Sequence, residues 1–355
     1  MKFVSIVGAR PQFVKAAALS RELRKTHKEI LIHTGQHYDH NMSDIFFSEL
    51  QIPKPDYNLN IGSGSHGAQT GIMLKDIEEV IINEKPDGVI VYGDTNSTLA
   101  GALAASKLLI PVFHVEAGLR SYNKEMPEEQ NRILTDHISK LLLCPTDTAV
   151  INLEKEGIRE GVKNVGDIMM DTVLYYKVLA KETTSLNDII DKYNIGTDEF
   201  YLSTLHRAEN TQVSEKIETI LNAFETLNKK VVLPLHPRTK KIVDKLQLNL
   251  KNVVVIDPVS YFEMLILLEN CIKVITDSGG LQKEAFFMEK QCITLREQTE
   301  WVETLNGNWN RLCSIDEKEI IDSINSTVLE DAQKDYFGSG NTASEIVKQL
   351  ENYYI

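Results

Sequence analysis

The chain has 355 residues, of which 42% are hydrophobic and 25% are charged, a composition that excludes a disordered or fibrous protein and fits two folded domains. Its formal net charge of −13, without a long basic run, argues against nucleic acid or anionic lipid as a partner. No apolar run approaches the roughly 18 residues that a membrane helix needs, and no signal peptide is recognisable, so we expect a cytoplasmic, enzyme-sized protein without membrane attachment.

Cysteine and histidine are arranged in a way that favours neither a disulfide framework nor a metal site. The cysteines are far apart, and none belongs to a C-x-x-C pair. His33, His37 and His40 lie close together, but no histidine or carboxylate partner falls at the same predicted sheet edge. We therefore expect no metal, and buried or free thiols at Cys144, Cys271, Cys292 and Cys313.

The first half of the chain predicts short, fully apolar strands that alternate with helices. The predicted strands span residues 2–7, 29–33, 88–92, 112–115 and 141–144. Helical patterns lie between them, at residues 13–23, 71–83, 98–108 and 131–140. Apolar strands that alternate with helices indicate a parallel sheet that helices cover on both faces.

The second half repeats this pattern. Its predicted strands span residues 200–204, 230–235, 253–256, 273–276 and 292–295, and its predicted helices span 214–227, 261–270, 282–288 and 343–353. Residues 184–193 are polar and carry no strong signal. The chain therefore predicts an α/β protein of two doubly wound, Rossmann-like domains that face a cleft. We place these domains at residues 1–170 and 171–340, with a C-terminal helix in 341–355 that packs back on the first domain.

In open α/β sheets a ligand binds beyond the carboxyl ends of the strands, so the residues that follow each strand are the first candidates for a site. After the first strand, Gly8 permits a tight turn, and Pro11 favours the start of a helix whose free N–H groups can hold an anion. Arg10 and Lys15 add positive charge there. An ordinary turn remains the alternative, because this is neither a G-x-G-x-x-G nor a Walker motif.

Three carboxylates follow strands or begin a helix in the first half. Asp94 is a candidate acid or a helix cap, and Glu116 stands at a strand end, where it has no capping role. Glu128 opens a helix, a position that the helix macrodipole favours for any acidic residue. Because these positions fall on the same side of one sheet, the three acids form a candidate acid–base cluster.

The second half supplies basic and glycine-rich turns after its strands. His206 follows one strand, and His236 and Arg238 follow the next. Ser278-Gly279-Gly280 follows a third strand and opens a helix, so it is a candidate cradle for a diphosphate, with Glu284 placed for ribose hydroxyls. The alternative is a turn that only connects a strand to a helix.

These residues belong to motifs that run in one order through the whole chain. Together the motifs resemble those of the non-hydrolysing UDP-N-acetylglucosamine 2-epimerase family. They are Gly8-x-Arg10-Pro11, Gly93-Asp94-Thr95, His114-Val115-Glu116-Ala117-Gly118-Leu119-Arg120, Pro127-Glu128-Glu129-x-Asn131-Arg132, His206-Arg207, His236-Pro237 and Thr276-Asp277-Ser278-Gly279-Gly280-x-Gln282-x-Glu284.

The resemblance implies the glycosyltransferase-B architecture and an isomerase that interconverts UDP-N-acetylglucosamine and UDP-N-acetylmannosamine without a metal or nicotinamide cofactor. By motif, Asp94, Glu116 and Glu128 match the catalytic carboxylates, and His206 matches the catalytic histidine. The residues that match UDP contacts are Arg10, Lys15, His236, Arg238, Ser278, Gly279, Gly280 and Glu284. The implied reaction eliminates UDP to leave a 2-acetamidoglucal and then adds UDP back.

The resemblance also implies a homodimer and a supply of precursors for surface polysaccharides. A second nucleotide sugar activates some relatives near the segment that matches Gln36-His37. Alternative interpretations are a glycosyltransferase-B type UDP-sugar transferase, a hydrolysing 2-epimerase and a nucleotide-sugar sensor.

Two departures from the family motifs bear on the sugar. The family usually opens Gly-Thr-Arg-Pro-Glu, whereas Gln12 stands last in the motif here. The family usually carries Thr-Glu-Arg-Pro-Glu late, whereas this chain has Thr299-Glu300-Trp301-Val302-Glu303. These features look like the branch that acts on UDP-2,3-diacetamido-2,3-dideoxyglucuronate, so both sugar nucleotides stay open as the substrate.

Overall fold

The computed structural model describes residues 1–36, 51, 53–196, 199–326 and 328–355. The chain divides into two compact units. The first comprises Met1–Thr172 and Asp335–Ile355, and the second comprises Val173–Lys334. Across the described ranges, no helix combines the length and the apolar character needed to cross a membrane.

A parallel sheet of seven strands forms the centre of the first unit. The strands are β1 (Lys2–Val7), β2 (Lys28–His33), β3 (Tyr57–Asn58), β4 (Gly88–Tyr92), β5 (Val112–Val115), β6 (Leu141–Cys144) and β7 (Val162–Asn164). Their order in the sheet is β3-β2-β1-β4-β5-β6-β7, so the winding direction reverses between β1 and β4. By the general rule for open α/β sheets, the ligand lies at this reversal point, beyond the carboxyl ends of the strands.

Helices enclose this sheet. Their bounds are Arg10–Leu23, His66–Glu84, Asn96–Lys107, Pro127–Ile138, Asp147–Lys155 and Thr342–Asn352, together with Ile168–Thr183, which contains the boundary between the units. Every residue of β4 is buried, as expected for a strand that is covered on both faces. Val4 and Val89 of the sheet pack with Met73 and Ile77 of the helix His66–Glu84 in one apolar core.

The second unit repeats the architecture with six parallel strands. They are β8 (Phe200–Thr204), β9 (Lys230–Pro234), β10 (Val253–Ile256), β11 (Lys273–Thr276), β12 (Gln291–Thr294) and β13 (Asn310–Leu312). The order β10-β9-β8-β11-β12-β13 puts the reversal point between β8 and β11.

The helices of the second unit complete its core. Their bounds are Leu186–Tyr193, Ala208–Thr211, Ser214–Glu225, Pro237–Leu246, Tyr261–Asn270, Gly279–Phe287 and Glu317–Ser326, with a 3₁₀ helix at Val302–Asn308. Leu233 and Ile275 of the sheet pack against Ile220 and Phe224 of one helix and Ile320 of another.

The predicted α/β class with two parallel, doubly wound sheets is confirmed. The absence of a predicted element at residues 184–193 is wrong, because Leu186–Tyr193 is a helix. Ser185 caps it by accepting a hydrogen bond from the Asp188 N–H at 3.1 Å, and Ile189 is its buried residue. Leu186, Ile189, Ile190 and Tyr193 do stand at helical spacing, but a helix of eight residues shows this pattern only once among polar residues.

The C-terminal helix packs on the first unit. The rings of Tyr353 and Tyr354 lie 5.2 Å and 6.3 Å from the ring of Phe113 in β5, measured between centroids. The Tyr354 hydroxyl donates a hydrogen bond to the Asp87 carbonyl at 2.5 Å. The last residues of the chain therefore close the sheet near the start of β4.

Gln12 joins the turn after β1 to the turn after β4, across the reversal point. Its side-chain oxygen accepts hydrogen bonds from the Gly8 N–H at 2.8 Å and the Ala9 N–H at 3.1 Å. Its side-chain nitrogen donates to the Tyr92 carbonyl at 2.7 Å and the Thr98 hydroxyl at 2.9 Å. Gln12 is 1% exposed, so water does not compete for these bonds. An amide can accept and donate in this way, whereas the ionised glutamate usual in the family could only accept.

We predict that Gln12→Glu destabilises the first unit. The substitution would replace the N–H donor to the Tyr92 carbonyl by a second acceptor, so that a carboxylate oxygen would face the carbonyl oxygen, at a cost of about 1–3 kcal/mol. For a unit of this length, that cost lowers the midpoint of thermal unfolding by about 2–10 °C. Differential scanning calorimetry at pH 7 measures the change.

Gln247→Glu is the matched control, because it makes the same chemical change at an exposed position of the second unit. Its unfolding midpoint should equal that of the unmodified protein. If Gln12→Glu also left the midpoint unchanged, the amide would not hold the two turns together.

Candidate active site

Asp94 stands in the turn between β4 and the next helix. Gly93 makes this turn with a φ of +61°, and Thr95 caps the helix, because its hydroxyl accepts a hydrogen bond from the Thr98 N–H at 3.4 Å. The Asp94 carboxylate instead accepts a hydrogen bond from the Arg132 guanidinium at 2.5 Å, and its side chain is 30% exposed. Asp94 is therefore not the helix cap, but a carboxylate that reaches solvent beside a cation.

The surroundings of Asp94 favour its protonated form. Burial, assisted by the negative charge of Glu116, raises the pKa of Asp94 above its ordinary value, although the positive charges of Arg132 and Lys15 oppose this shift. A carboxyl group with a raised pKa is better matched to hold and release a proton near neutral pH. The site thus contains a group suited to proton transfer.

Glu116 follows β5 in a left-handed backbone conformation, with a φ of +70°. Non-glycine residues adopt this region at an energetic cost, and such residues cluster at functional sites. The buried Glu116 carboxylate forms an ion pair with the ammonium group of Lys15, which the resemblance assigns to UDP. Gly93 lies against this pair, since a Cβ atom there would come within 3.2 Å of Glu116 Oε2 and 3.3 Å of Lys15 Nζ. The segments after β1, β4 and β5 therefore converge at the reversal point.

The helix Pro127–Ile138 carries Arg132, whose guanidinium contacts the Asp94 carboxylate. Glu129, in its first turn, is 1% exposed and accepts hydrogen bonds from the Ser121 N–H at 2.8 Å, the Tyr122 N–H at 2.9 Å and the Arg132 guanidinium at 2.9 Å. Although burial opposes ionisation, these hydrogen bonds hold the pKa of Glu129 below its ordinary value. Both residues belong to the Pro127-Glu128-Glu129-x-Asn131-Arg132 motif, but only the contact of Arg132 with Asp94, which is distant in the chain, connects them to the site.

Glu128 is exposed in the same first turn. Residues four positions apart lie on one face of a helix, so Glu128 shares a face with Arg132. Its position also suits the helix macrodipole. The structure thus brings Asp94 and Glu116 together directly and places Glu128 on the helix face that approaches them.

His114, in β5, supports the turn after β4. Its Nε2 lies 2.7 Å from the Gly93 carbonyl oxygen, and its Nδ1 lies 2.7 Å from the Asp136 carboxylate. Asp136 also accepts hydrogen bonds from the Arg120 guanidinium at 2.7 Å and the Gly118 N–H at 3.2 Å. These contacts fix the Gly93 carbonyl group, which directly precedes Asp94. A histidine in an otherwise apolar strand was the sequence signal for this role.

In the second unit, the predicted glycine-rich turn follows β11. Ser278 caps the helix Gly279–Phe287 by accepting a hydrogen bond from a first-turn N–H at 3.3 Å. A Cβ atom at Gly279 would lie 2.6 Å from Oε1 at the end of the Glu300 side chain, which would have to shift to admit it. At the exposed Gly280, a Cβ atom would have only Ser278 Oγ within 4 Å, at 3.8 Å. The N-terminus of this helix is therefore open, as an anion site requires.

Two buried charged residues lie in that helix. The carboxylate of Glu284 accepts a hydrogen bond from the Tyr261 hydroxyl at 3.4 Å. The Lys283 ammonium group lies 3.6 Å from the centroid of the Trp301 ring. A buried cation is stabilised over the face of an aromatic ring. Trp301, which stands where the family motif usually has arginine, therefore gives Lys283 a favourable contact.

The predicted histidines of the second unit are both exposed. His206 follows β8, and its backbone N–H donates a hydrogen bond to Asp277 at 2.9 Å. His236 follows β9 and caps the helix Pro237–Leu246 by accepting a hydrogen bond from the Arg238 N–H at 3.3 Å. His236 thus has a structural role, and the UDP contacts of His236 and Arg238 stay predictions.

Some predicted residues lie outside the described part of the structure. They are the side chain of Arg10 and the segment 37–50, which includes His37 and His40. Among the residues that are described, no group of three or more His, Cys, Asp or Glu side chains could hold a metal ion. The four cysteines are buried thiols.

The chain is similar over nearly its whole length to known epimerases. The family model of UDP-N-acetylglucosamine 2-epimerase matches residues 21–351. The UDP-2,3-diacetamido-2,3-dideoxy-D-glucuronate 2-epimerase of Pseudomonas aeruginosa is 50% identical over 99% of both chains. The UDP-N-acetylglucosamine 2-epimerase of Methanococcus maripaludis is 46% identical over 96% of both chains.

A solved structure agrees with these relatives. The crystal structure of Methanocaldococcus jannaschii UDP-GlcNAc 2-epimerase in complex with UDP-GlcNAc and UDP matches with a TM-score of 0.90 at 44% identity. The match covers 99% of this chain and 100% of that one. This chain therefore belongs to the UDP-N-acetylglucosamine 2-epimerase family.

Proposed function

We propose that this protein is a non-hydrolysing 2-epimerase of a UDP-linked 2-acetamido sugar. The observation that carries the proposal is the cluster at the first reversal point, where Asp94 and Glu116 each lie beside a cation and Asp94 has a raised pKa. Family membership supports the same reaction. The relatives named above are 2-epimerases, and one of them is named for a diacetamido uronate.

The chemistry explains why such a site needs several carboxylates. The C2 proton of the sugar is not next to a carbonyl group, so its direct removal would leave an unstabilised carbanion. When the anomeric C–O bond breaks, its electron pair leaves with UDP, and a carboxylate can take the C2 proton as the C1–C2 double bond forms. Return of a proton to the opposite face of C2, followed by addition of UDP, completes the inversion. One group must remove a proton and another must supply it.

We assign these proton transfers to the set Asp94, Glu116 and Glu128. Asp94 can carry a proton because of its raised pKa, whereas the buried Glu116 carboxylate is paired with Lys15. Glu128 lies on the helix face that approaches them. The ion pairs orient Asp94 and Glu116, so these carboxylates need little reorganisation during the reaction.

The second unit supplies the proposed UDP site. The open helix N-terminus at Ser278 can accept the growing negative charge of the departing diphosphate, and His206 can assist. Glu284 suits ribose hydroxyls. The other residues proposed to contact UDP are Gly279, Gly280, Arg10, Lys15, His236 and Arg238.

UDP-2,3-diacetamido-2,3-dideoxyglucuronate is the second candidate substrate beside UDP-GlcNAc. Identity alone does not choose between the sugars: it is 50% to the Pseudomonas aeruginosa enzyme, 46% to the Methanococcus maripaludis UDP-N-acetylglucosamine 2-epimerase and 53% to a homologue of that epimerase from the same organism. The departures at Gln12 and Trp301 favour the diacetamido uronate branch, and both residues are buried and make defined contacts.

The proposal predicts that deuterium enters C2 of the sugar during turnover in heavy water. UDP-GlcNAc and the diacetamido uronate nucleotide are offered separately, and NMR follows C2 and the 2-epimer. The substrate should gain deuterium and epimerise without net release of UDP, because the intermediate is recaptured. Sugar transfer without exchange would indicate a transferase, release of UDP with free sugar would indicate the hydrolysing reaction, and binding of both nucleotides without exchange would indicate a sensor.

We predict that Asp94→Asn lowers kcat by about 100- to 10,000-fold, the range typical of a lost acid or base. The dissociation constant for UDP should stay nearly unchanged, since Asp94 is not among the residues proposed to contact UDP. Steady-state kinetics and isothermal titration calorimetry measure the two quantities. Glu160→Gln removes an exposed carboxylate of the first unit and should change neither. Full activity of Asp94→Asn would remove this residue from the proton-transfer set.

Ser278→Ala should show the opposite pattern. Loss of the cap loosens the helix N-terminus at a cost of about 1 kcal/mol. We expect the dissociation constant for UDP to rise by about fivefold, as that energy implies. If calorimetry gave unchanged UDP binding, the diphosphate would not depend on this turn.

A further inference from the structure

A buried aspartate ties together the two turns at the second reversal point. Asp277 stands directly before Ser278 and is 0% exposed. Its carboxylate accepts hydrogen bonds from the His206 N–H at 2.9 Å, the Arg207 N–H at 3.1 Å and the Asn210 side-chain amide at 3.1 Å. All three donors belong to the segment that follows β8, whereas the acceptor belongs to the turn that follows β11.

The contacts of Asp277 make the position of the His206 backbone sensitive to this one side chain. A buried carboxylate is costly unless hydrogen bonds satisfy its oxygens. Among the described residues, its partners are N–H groups, and no cation pairs with it. The charge therefore depends on holding these donors close, and two of them are backbone groups of His206 and Arg207.

Neighbouring hydrogen bonds hold the ends of β8 and β11 close together. The hydroxyl groups of Thr204 and Thr276, at the ends of β8 and β11, are hydrogen-bonded at 2.6 Å. Asn210 also donates to the Leu295 carbonyl at 3.3 Å, which orients its amide. The ends of β8 and β11, from which the two turns start, are thus held in place.

Asp277 has no other evident task. Ser278, and not Asp277, caps the helix that follows. With no exposed surface, Asp277 cannot itself touch a ligand. Its position and contacts leave it the role of joining one turn to the other.

We propose that Asp277 is a positioning residue that holds His206 in register with the Ser278 turn. In this arrangement the histidine and the helix N-terminus act together on the departing diphosphate. The inference rests on the proposed function, because it takes His206 to act at the leaving group. It adds a residue that contributes to turnover only through His206.

The primary test is Asp277→Asn. The amide nitrogen would face donors at Arg207 and Asn210, so the segment after β8 would shift. We expect kcat to fall by about 10- to 100-fold, as small misplacements of a reacting group do. The dissociation constant for UDP should change by less than about threefold, because the helix cap stays in place.

A double-mutant cycle with His206→Asn separates positioning from a general structural effect. If Asp277 acts through His206, Asp277→Asn should lower kcat by less than about twofold when His206 is already replaced, since residues that act as a unit are not additive. An equal loss of kcat in both backgrounds would overturn the inference, while the proposed function would stand.

Two further variants distinguish a loss of turnover from a loss of folding. Asn210→Ala removes one of the three donors and should give a smaller loss of kcat with the same non-additivity, so it decides the question if Asp277→Asn does not fold. Glu225→Gln alters another carboxylate of this unit, which accepts hydrogen bonds from the Asn252 and Val253 N–H groups at 2.9 Å before β10. It should lower the unfolding midpoint and leave kcat unchanged.

The outcomes keep the two proposals apart. No deuterium exchange by the unmodified protein would refute the proposed function. Normal exchange together with full activity of His206→Asn would remove the histidine from the mechanism, and the inference about Asp277 with it. Normal exchange, an impaired His206→Asn variant and a fully active, folded Asp277→Asn variant would refute the inference alone.

Discussion

The pairing of each candidate carboxylate with a cation shapes the whole first reversal point. A charge held close to an apolar sheet is stable only when a partner satisfies it. Arg132 pairs with Asp94, and Lys15 pairs with Glu116. The buried Glu129 holds the guanidinium of Arg132 in place, so Asp94, Arg132 and Glu129 form one hydrogen-bonded chain. The pair of Lys15 and Glu116 lies beside this chain, against Gly93.

The second unit stabilises its buried carboxylate with neutral donors. Its glycine-rich turn leaves a helix N-terminus open, and its buried Asp277 is held by N–H groups in place of a charged side chain. A helix N-terminus presents a positive potential to a ligand, and it needs no cationic side chain that is already paired inside the protein. The two units share a topology, yet we propose that one moves protons and that the other receives an anion. Under this proposal, the acidic excess that gives a net charge of −13 is compatible with a diphosphate ligand, because the anion would meet neutral donors and a helix N-terminus.

The sequence predicted the two sheets because every central strand is an apolar run that ends at a polar turn. It also predicted that Asp94 and Glu116 lie on one side of the first sheet, since the carboxyl ends of parallel strands share one edge. It could not decide whether Asp94 caps a helix, because the adjacent Thr95 is an equally good cap and only the contact with Arg132 separates the two readings. The role of His114 depends on contacts with Gly93 and Asp136, which are distant in the chain. The role of Glu129 depends on how residues 121 and 122 fold back on its helix, which a helix or strand pattern does not contain either.

The left-handed backbone of Glu116 carries a strain that its ion pair with Lys15 helps to offset. Glycine would adopt that conformation without strain, but it would leave the buried ammonium group of Lys15 without its partner carboxylate. Stability and the proposed proton transfer therefore favour the same glutamate. A library built for thermostability must vary Glu116 and Lys15 together, because a change at either one alone leaves a buried charge without its counter-ion.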